Sequence, residues 1–502
     1  LVRSVELFHD LRRRYGIAFL ALVIVGFLAR AQAWVAPSYS IDDYAESLVT
    51  APTDLSPLLS QGRYGLAALW WLRAKLGFFG MPVATSSAAL STLCLALAGM
   101  LFAAAIVRRP TRGQAFLFGA LFSLHPFLTE FFHFAGATLN TAICILIVAA
   151  ASAAVLAGEA TLAATVGAAV AIAVTLSIYQ LVAAHLGAVF LLAVVWRLYV
   201  AAEAGESVTV AARPLVRMLL TLVGGVVLYG LGFLIARQLS GVHMGARGDM
   251  SQLTLAQHAA GFWVGLSHSL WPEPQLIRRG PSAILLVILA LSAGAVAWTL
   301  ARRGRFVSAV AALVSMAAAV VWASGATALA GTIWMVPRVM SPVSLAFAGI
   351  VLIGWRIGPG WMRGAFAVGV GLLCFAYVGA SNQILFDTRR VNLWDSEQVN
   401  RIIGRLEADP QFANVQTLDI VGGSWRRPLN LPTTDGDMNI MALGAEWAKI
   451  GVVAESTGYL FSSPTPAEKA EADSLCAQGP AWPAIGSTRI QGKLAVVCLP
   501  KP

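Results

Sequence analysis

Apolar residues fall in stretches too long for a globular core. Starting at Ile17, runs with few or no charges occupy about 17–36, 83–107, 115–135, 138–157, 160–178, 180–197, 216–236, 282–301, 307–327, 341–355 and 365–384. A helix needs roughly 20 apolar residues to cross about 30 Å of hydrocarbon, so the pattern predicts about eleven transmembrane helices. Gly and Ala recur within the runs, as expected where helices pack on small residues. The first run lacks a small-residue cleavage site and is expected to act as a span, not as a signal peptide. After Gln383 the pattern changes. Val399, Ile402, Ile403 and Leu406 share one helix face, while 415–421 and 493–499 read as short buried strands. The chain therefore divides into an N-terminal segment (1–16), a transmembrane region (17–385) and a small α/β domain (386–502). No internal repeat is visible, which weighs against an inverted-repeat transporter.

Composition agrees with this division. Of the 502 residues 58% are apolar and 12% charged, against about 45–50% and 25% in soluble proteins. Soluble, disordered and fibrous classes are excluded. The net charge of +10 would suit a polyanion, but its distribution says otherwise: residues 1–385 carry 24 Lys/Arg against 12 Asp/Glu, and residues 386–502 carry 11 against 13. The excess sits in short Arg clusters between spans, which marks cytoplasmic loops rather than a nucleic-acid surface. Arg3, Arg12, Arg13 and Arg14 put the N-terminus inside. Alternate later loops repeat the signal with Arg108, Arg109 and Arg112, then Arg197, Arg213 and Arg217, then Arg302, Arg303 and Arg305, then Arg356 and Arg363. The loops 37–82, 237–281 and 328–340, and the C-terminal domain, are then expected outside. Cys94, Cys144 and Cys374 lie within spans, where a thiol is a small hydrophobe. Cys476 and Cys498 are the pair in the outward domain and are expected to form a disulfide.

Ionisable groups near a membrane mark function, and here they gather in the outward loops. Ser40-Ile41-Asp42-Asp43-Tyr44-Ala45-Glu46 follows the first span, with Gln61-Gly62-Arg63-Tyr64-Gly65 and the aromatics Trp70, Trp71 and Phe78 beyond it. Two adjacent carboxylates can supply a general base and a partner that orients it or binds a cation. Equally, Ser40 and Asp43 have the spacing of a helix capping box, and such a cap would leave Asp42 to do chemistry. Glu130 and His133, in His125-Pro-Phe-Leu-Thr-Glu-Phe-Phe-His133, are three residues apart and able to bond each other; a metal site would need more ligands. Arg338, between Pro337 and Pro342, suits a lipid phosphate or simple snorkelling. Tyr179-Gln180 marks an outer helix junction, and the loop 237–281 holds Arg237, Arg247, Trp263, Trp271 and Arg279, a sugar-binding surface or an interfacial aromatic belt. No P-loop, GxSxG, HExxH or CxxC occurs, so ATPase, hydrolase, zincin and thiol-redox classes have no support.

The ordered segments SIDDYAE, QGRYG, HPFLTEFFHF, IYQ and PRVMSP resemble those of the glucosyl transferase II type family of bacterial O-antigen glucosyltransferases, within the GT-C class of polytopic enzymes. The resemblance covers about residues 10–400. It implies an all-α GT-C-like membrane domain in the bacterial inner membrane, working on the periplasmic side. The implied reaction is inverting transfer of a sugar, typically glucose, from a polyprenyl-phosphate donor to a hydroxyl of a lipid-linked or polymeric glycan. Carried onto this chain, Asp42 or Asp43 would be the base. Arg338 and Arg63 would hold the donor phosphate, and Tyr44, Glu130, His133, Tyr179, Gln180 and Trp271 would line or brace the sugar pocket. The resemblance fixes no cofactor; the two aspartates permit a divalent cation without requiring one. Competing readings are a GT-C transferase for another sugar, of aminoarabinose or mannose type, and a lipid-linked sugar flippase.

Overall fold

The computed structural model describes residues 2–47, 55–77, 80–156, 161–245, 249–274, 276–423 and 440–500; Phe78, Arg247 and the side chains of Arg3, Arg12 and Arg13 lie outside the described residues. Eight described helices are long and apolar enough to cross a membrane: Met81–Ile106, Thr138–Leu156, Val182–Ala204, Ala212–Ser240, Arg279–Arg302, Phe306–Leu329, Pro337–Ile357 and Gly360–Glu407. The other three apolar runs are helical but fall short of that test. The first belongs to the 28-residue helix Val2–Ala29, whose start is charged, Leu162–Ile178 has 17 residues, and Arg112–Ser123 is followed by Pro126–His133 at a 59° bend. The bend has a local cause. Pro126 has no N–H to give, and the His125 ring accepts from Phe127 N at 3.3 Å, starting a new turn in a new direction.

One side of many helices stays apolar and uncovered. Ile17, Leu20, Ile24 and Leu28 are exposed at three- and four-residue intervals, as are Val307, Val310 and Val314, while Leu22 and Ala29 are buried. An apolar face outward and another inward is the pattern of a helix between protein and lipid. The chain is a multi-pass membrane protein.

The loops separate into two sets at the two ends of these helices. At one end Tyr15 donates to Pro110 O, Arg112 to Arg14 O and Arg197 to Leu156 O, and Arg303 lies 3.9 Å from Glu203. That end collects the Arg-rich loops. Ala84–Ile106, with 23 residues, spans about 34 Å to the other end at 1.5 Å per residue. There the 55–65 segment meets Gly245 and Gln180, and the 130–136 segment meets Arg338 and Asp43.

The C-terminal domain is carried by the last span itself. Gly360–Glu407 is one helix of 48 residues, about 72 Å long, so the expected boundary at 385/386 falls inside a continuous helix. Beyond it stands a three-stranded sheet of β1 (Thr417–Val421), β2 (Thr488–Gln491) and β3 (Leu494–Cys498) in the order β1-β3-β2, β1 and β3 parallel, β2 antiparallel. The strands β1 and β3 fall within the two expected runs; β2 has no counterpart there. Cys476, on the helix Pro466–Gln478, is disulfide-bonded to Cys498 on β3 with a Cα separation of 5.2 Å.

The domain's core takes in part of the segment that follows the first apolar helix. Ile41 and Tyr44, three apart on the helix Ile41–Ser47, are buried with Val399, Ile402, Val452 and Val453. Gly451 is required at this joint: a Cβ there would lie 1.8 Å from the Tyr44 carbonyl oxygen. Tyr44, expected in a sugar pocket, is 3% exposed and packs in this core instead.

Candidate active site

The helix Ile41–Ser47 begins with a closed capping box. Ser40 N and Oγ each donate to Asp43 Oδ2 at 2.9 Å, and Asp43 N returns a bond to Ser40 Oγ at 3.2 Å. The other carboxylate oxygen, Oδ1, accepts from Gly136 N at 3.4 Å. Burial pushes the Asp43 carboxyl up to about 6 against these hydrogen bonds, which pull it down. Asp42, the next residue back, is turned outward and exposed, and its Oδ1 accepts from the indole N–H of Trp447 at 3.2 Å. The adjacent carboxylates thus serve different partners. They do not converge as two ligands on one ion, and no group of three or more His, Cys, Asp or Glu side chains suited to a metal occurs among the described residues.

The bent segment after His125 carries the second component. Glu130 is fully buried and accepts from both the backbone N and the Nη1 of Arg338, each at 2.6 Å. This two-point, charge-assisted pairing fixes both the turn Pro337–Met340 and its guanidinium. Arg338 keeps 19% side-chain exposure and lies 4.8 Å from the centre of the Phe134 ring. His133, expected as the partner of Glu130, bonds elsewhere: Nδ1 with Ser38 Oγ at 2.8 Å and Nε2 with Thr388 Oγ1 at 3.4 Å. It ties the segment after the first apolar helix to the last span.

The third component is Arg63. Its Nε donates to Gln180 Oε1 at 3.2 Å, and its guanidinium lies 5.9 Å from the Tyr179 ring, which meets Phe131 edge-on. Gln180 Nε2 donates to Gln61 O at 2.8 Å and so pins the Gln-Gly-Arg turn. Arg63, Tyr179, Phe131, Glu130 and Arg338 therefore form one connected shelf, and Phe134 to Gly136 joins it to Asp43. A small hollow, about the size of one water molecule, is lined by Ser40, His133 and Phe134 together with Thr388 and Asn392 of the last helix. Trp271 is not part of this group; it packs under the Arg279 guanidinium at 4.8 Å, and none of the described contacts links it to the shelf.

Three further residues stand at the site without having been singled out by motif. Arg73 donates to Gly136 O, the residue whose N–H reaches Asp43. Glu46 packs against Gly136, where a Cβ would lie 2.6 Å from its Oε2, an oxygen that is enclosed and makes no hydrogen bond among the described residues. Burial, then the charge of Asp43, push the Glu46 carboxyl up to about 8, with Arg73 opposing. Arg30 is buried within the first apolar run, donates to Ser123 O and lies 4.4 Å from the Phe132 ring. An arginine inside an apolar run was the available signal.

The raised Glu46 carboxyl has a consequence for stability. The folded protein holds this proton more tightly than the unfolded chain, so stability falls as pH rises from the ordinary value of 4.5 towards 8. Glu46→Gln is expected to flatten the decline of melting temperature over that interval, leaving the decline that the other raised carboxyls contribute, Asp43 between 3.8 and 6 among them. Thermal unfolding in detergent from pH 4 to 9 measures it, and parallel wild-type and variant curves would contradict it.

A multi-pass helical bundle that gathers acids, arginines and aromatic rings from five distant segments at one end has the build of a membrane-embedded enzyme. The chain belongs to the glucosyl transferase GtrII family, whose model matches residues 33–353. That match contains Asp42, Asp43, Arg63, Glu130, Gln180 and Arg338 and stops before the C-terminal domain. No curated protein and no solved structure matches the chain. It is a membrane glycosyltransferase of the glucosyl type, with a sugar donor and a glycan acceptor in general terms.

Proposed function

We propose that the protein transfers glucose, with inversion, from a polyprenyl-phosphate donor to a glycan hydroxyl on the periplasmic side of the bacterial inner membrane. The observation that carries this reading is the shelf itself: Arg338 and Arg63 lie within one connected set of contacts at the end that holds Asp42. A lipid-borne phosphate enters from the bilayer, and guanidinium groups fixed beside aromatic rings match its paired oxygens. In the reaction the acceptor hydroxyl attacks the anomeric carbon from the face opposite phosphate. Its proton passes to the Asp42 carboxylate as the new glycosidic bond forms, and the bond between the anomeric carbon and the phosphate oxygen breaks. Arg338 stabilises the negative charge that develops on the departing polyprenyl phosphate. Asp42 is the base because it is exposed, whereas both oxygens of Asp43 are occupied by Ser40 and Gly136; Asp43 positions the helix that carries it. The outward orientation of this end draws support from the Arg-rich loops at the opposite end and from the disulfide in the C-terminal domain.

Purified full-length protein is expected to move labelled glucose from undecaprenyl-phosphate glucose to glycan isolated from cells lacking the gene, and to leave UDP-glucose unused. The product linkage is expected to have the anomeric configuration opposite to that of the donor, read by NMR. Transfer from UDP-glucose alone would overturn the donor assignment, and retained configuration would overturn the mechanism.

A further inference from the structure

The candidate base is held from outside the region that the family model matches. Residues 33–353 contain Asp42, but its hydrogen-bond donor, Trp447, belongs to the C-terminal domain. Trp447 sits in the turn just before the helix Lys449–Thr457, and that helix packs against Ile41–Ser47 with Gly451 directly over the Tyr44 carbonyl. The joint is anchored on both sides. Ile41 and Tyr44 enter the domain's core, while Asn392 bonds both the N–H (2.8 Å) and the carbonyl (3.0 Å) of Tyr39 just before the capping box. A contact made across such a joint is fixed in place, not a chance approach of two loops.

The second observation concerns the ring. Trp447 remains 58% exposed although its N–H is engaged. Indole is costly to leave in water and usually buries most of its area. Here the polar edge points at Asp42 and the apolar face is presented beside it. A pyranose has the matching shape: its axial C–H bonds form an apolar face that lies flat on an aromatic ring, while its hydroxyls project from the rim. A sugar on the Trp447 ring would direct rim hydroxyls towards the carboxylate that is to take a proton.

We propose that Trp447 completes the active site from the C-terminal domain, orienting Asp42 through its N–H and carrying the acceptor sugar on its exposed ring. The inference rests on the glucosyl-transfer reading for the role of Asp42, and adds the acceptor subsite to it. Trp447 is a positioning residue for the base and a binding residue for the acceptor. The donor is held elsewhere, on the arginine shelf.

The two roles separate in two variants of the full-length protein. Trp447→Phe keeps a ring and removes the N–H; kcat is expected to fall about tenfold, the effect of one hydrogen bond to a charged group, with acceptor KM within twofold of wild type. Trp447→Ala removes both, and acceptor KM is expected to rise five- to tenfold in addition, with donor KM unchanged in either variant. Equilibrium binding of the glycan isolated from cells lacking the gene, measured without donor, is expected to weaken by the same five- to tenfold in Trp447→Ala and to be kept in Trp447→Phe. This binding measurement stands apart from the donor question: absence of transfer from undecaprenyl-phosphate glucose would refute the donor reading and leave the Trp447 comparison intact. Equal glycan affinity in wild type and Trp447→Ala overturns the proposal, as does a rise in donor and acceptor KM together. Should the alanine variant fail to fold, an unchanged kcat in Trp447→Phe overturns the orienting role by itself.

Discussion

Arg338→Ala is expected to abolish glucosyl transfer and also to weaken the fold, and a second substitution should separate the two effects. Glu130 is fully buried and receives two bonds from Arg338 at 2.6 Å. Removing the guanidinium leaves a buried carboxylate without the cation that pairs with it, while the backbone N–H of residue 338 stays in place. Breaking a buried pair from one side costs about 3–5 kcal/mol. Replacing Glu130 by Gln in the same chain removes the stranded charge and keeps an acceptor for that backbone N–H. The double variant Arg338→Ala/Glu130→Gln should therefore recover most of the lost melting temperature. Activity should not return, because the cation that stabilises the leaving phosphate is still missing. Melting curves in detergent and initial rates on the same samples give both quantities. Recovery of activity along with stability would mean that Arg338 is a structural strut and not a phosphate ligand.

The adjacent aspartates should diverge just as sharply. Asp42→Asn keeps the oxygen that accepts from Trp447 but cannot take a proton, so the rate is expected to fall about 10²–10⁴-fold, the usual share of a general base, at unchanged melting temperature. Asp43→Ala empties a buried site. It strands the hydroxyl of Ser40 and the N–H of Gly136, while the Ser40 N–H keeps the carbonyl of His133, and each unmet buried group costs about 1–3 kcal/mol. The expected signature is a marked loss of stability, with residual transfer at low temperature. If Asp42→Asn retains full activity and Asp43→Asn, folded, loses it, the roles are exchanged. If both retain it, neither is the base.

The segments that build this site were legible as segments. SIDDYAE, QGRYG, HPFLTEFFHF, IYQ and PRVMSP each supply a residue to one end of the bundle, and the capping box at Ser40 could be read from its spacing. Their pairings were not. Spacing offers Glu130 only its neighbours, so it suggested His133; the observed partner, Arg338, lies 208 positions away and is brought close by the bend at Pro126. Tyr44 shows the converse error. Its place beside two aspartates suggested chemistry, but its interval from Ile41 makes an apolar helix face, and that face is covered by the C-terminal domain. The helices were readable from hydropathy, whereas their number was not. Pro126 breaks one run, Leu162–Ile178 is short for a span, and the first run shares the helix Val2–Ala29 with a charged start.

The helix Gly360–Glu407 fixes more than the attachment of the domain it carries. Each residue along it adds about 1.5 Å of height and 100° of bearing to whatever stands on its end. The stretch from the bilayer to the sheet acts as a ruler and a dial together. Its length is fixed together with the side chains that grip its neighbours, Thr388, Asn392 and Val399 among them, because one residue more or fewer would swing the Trp447 turn away from Asp42. The count of residues in a membrane-exit helix is thus itself a specification of where the acceptor meets the base.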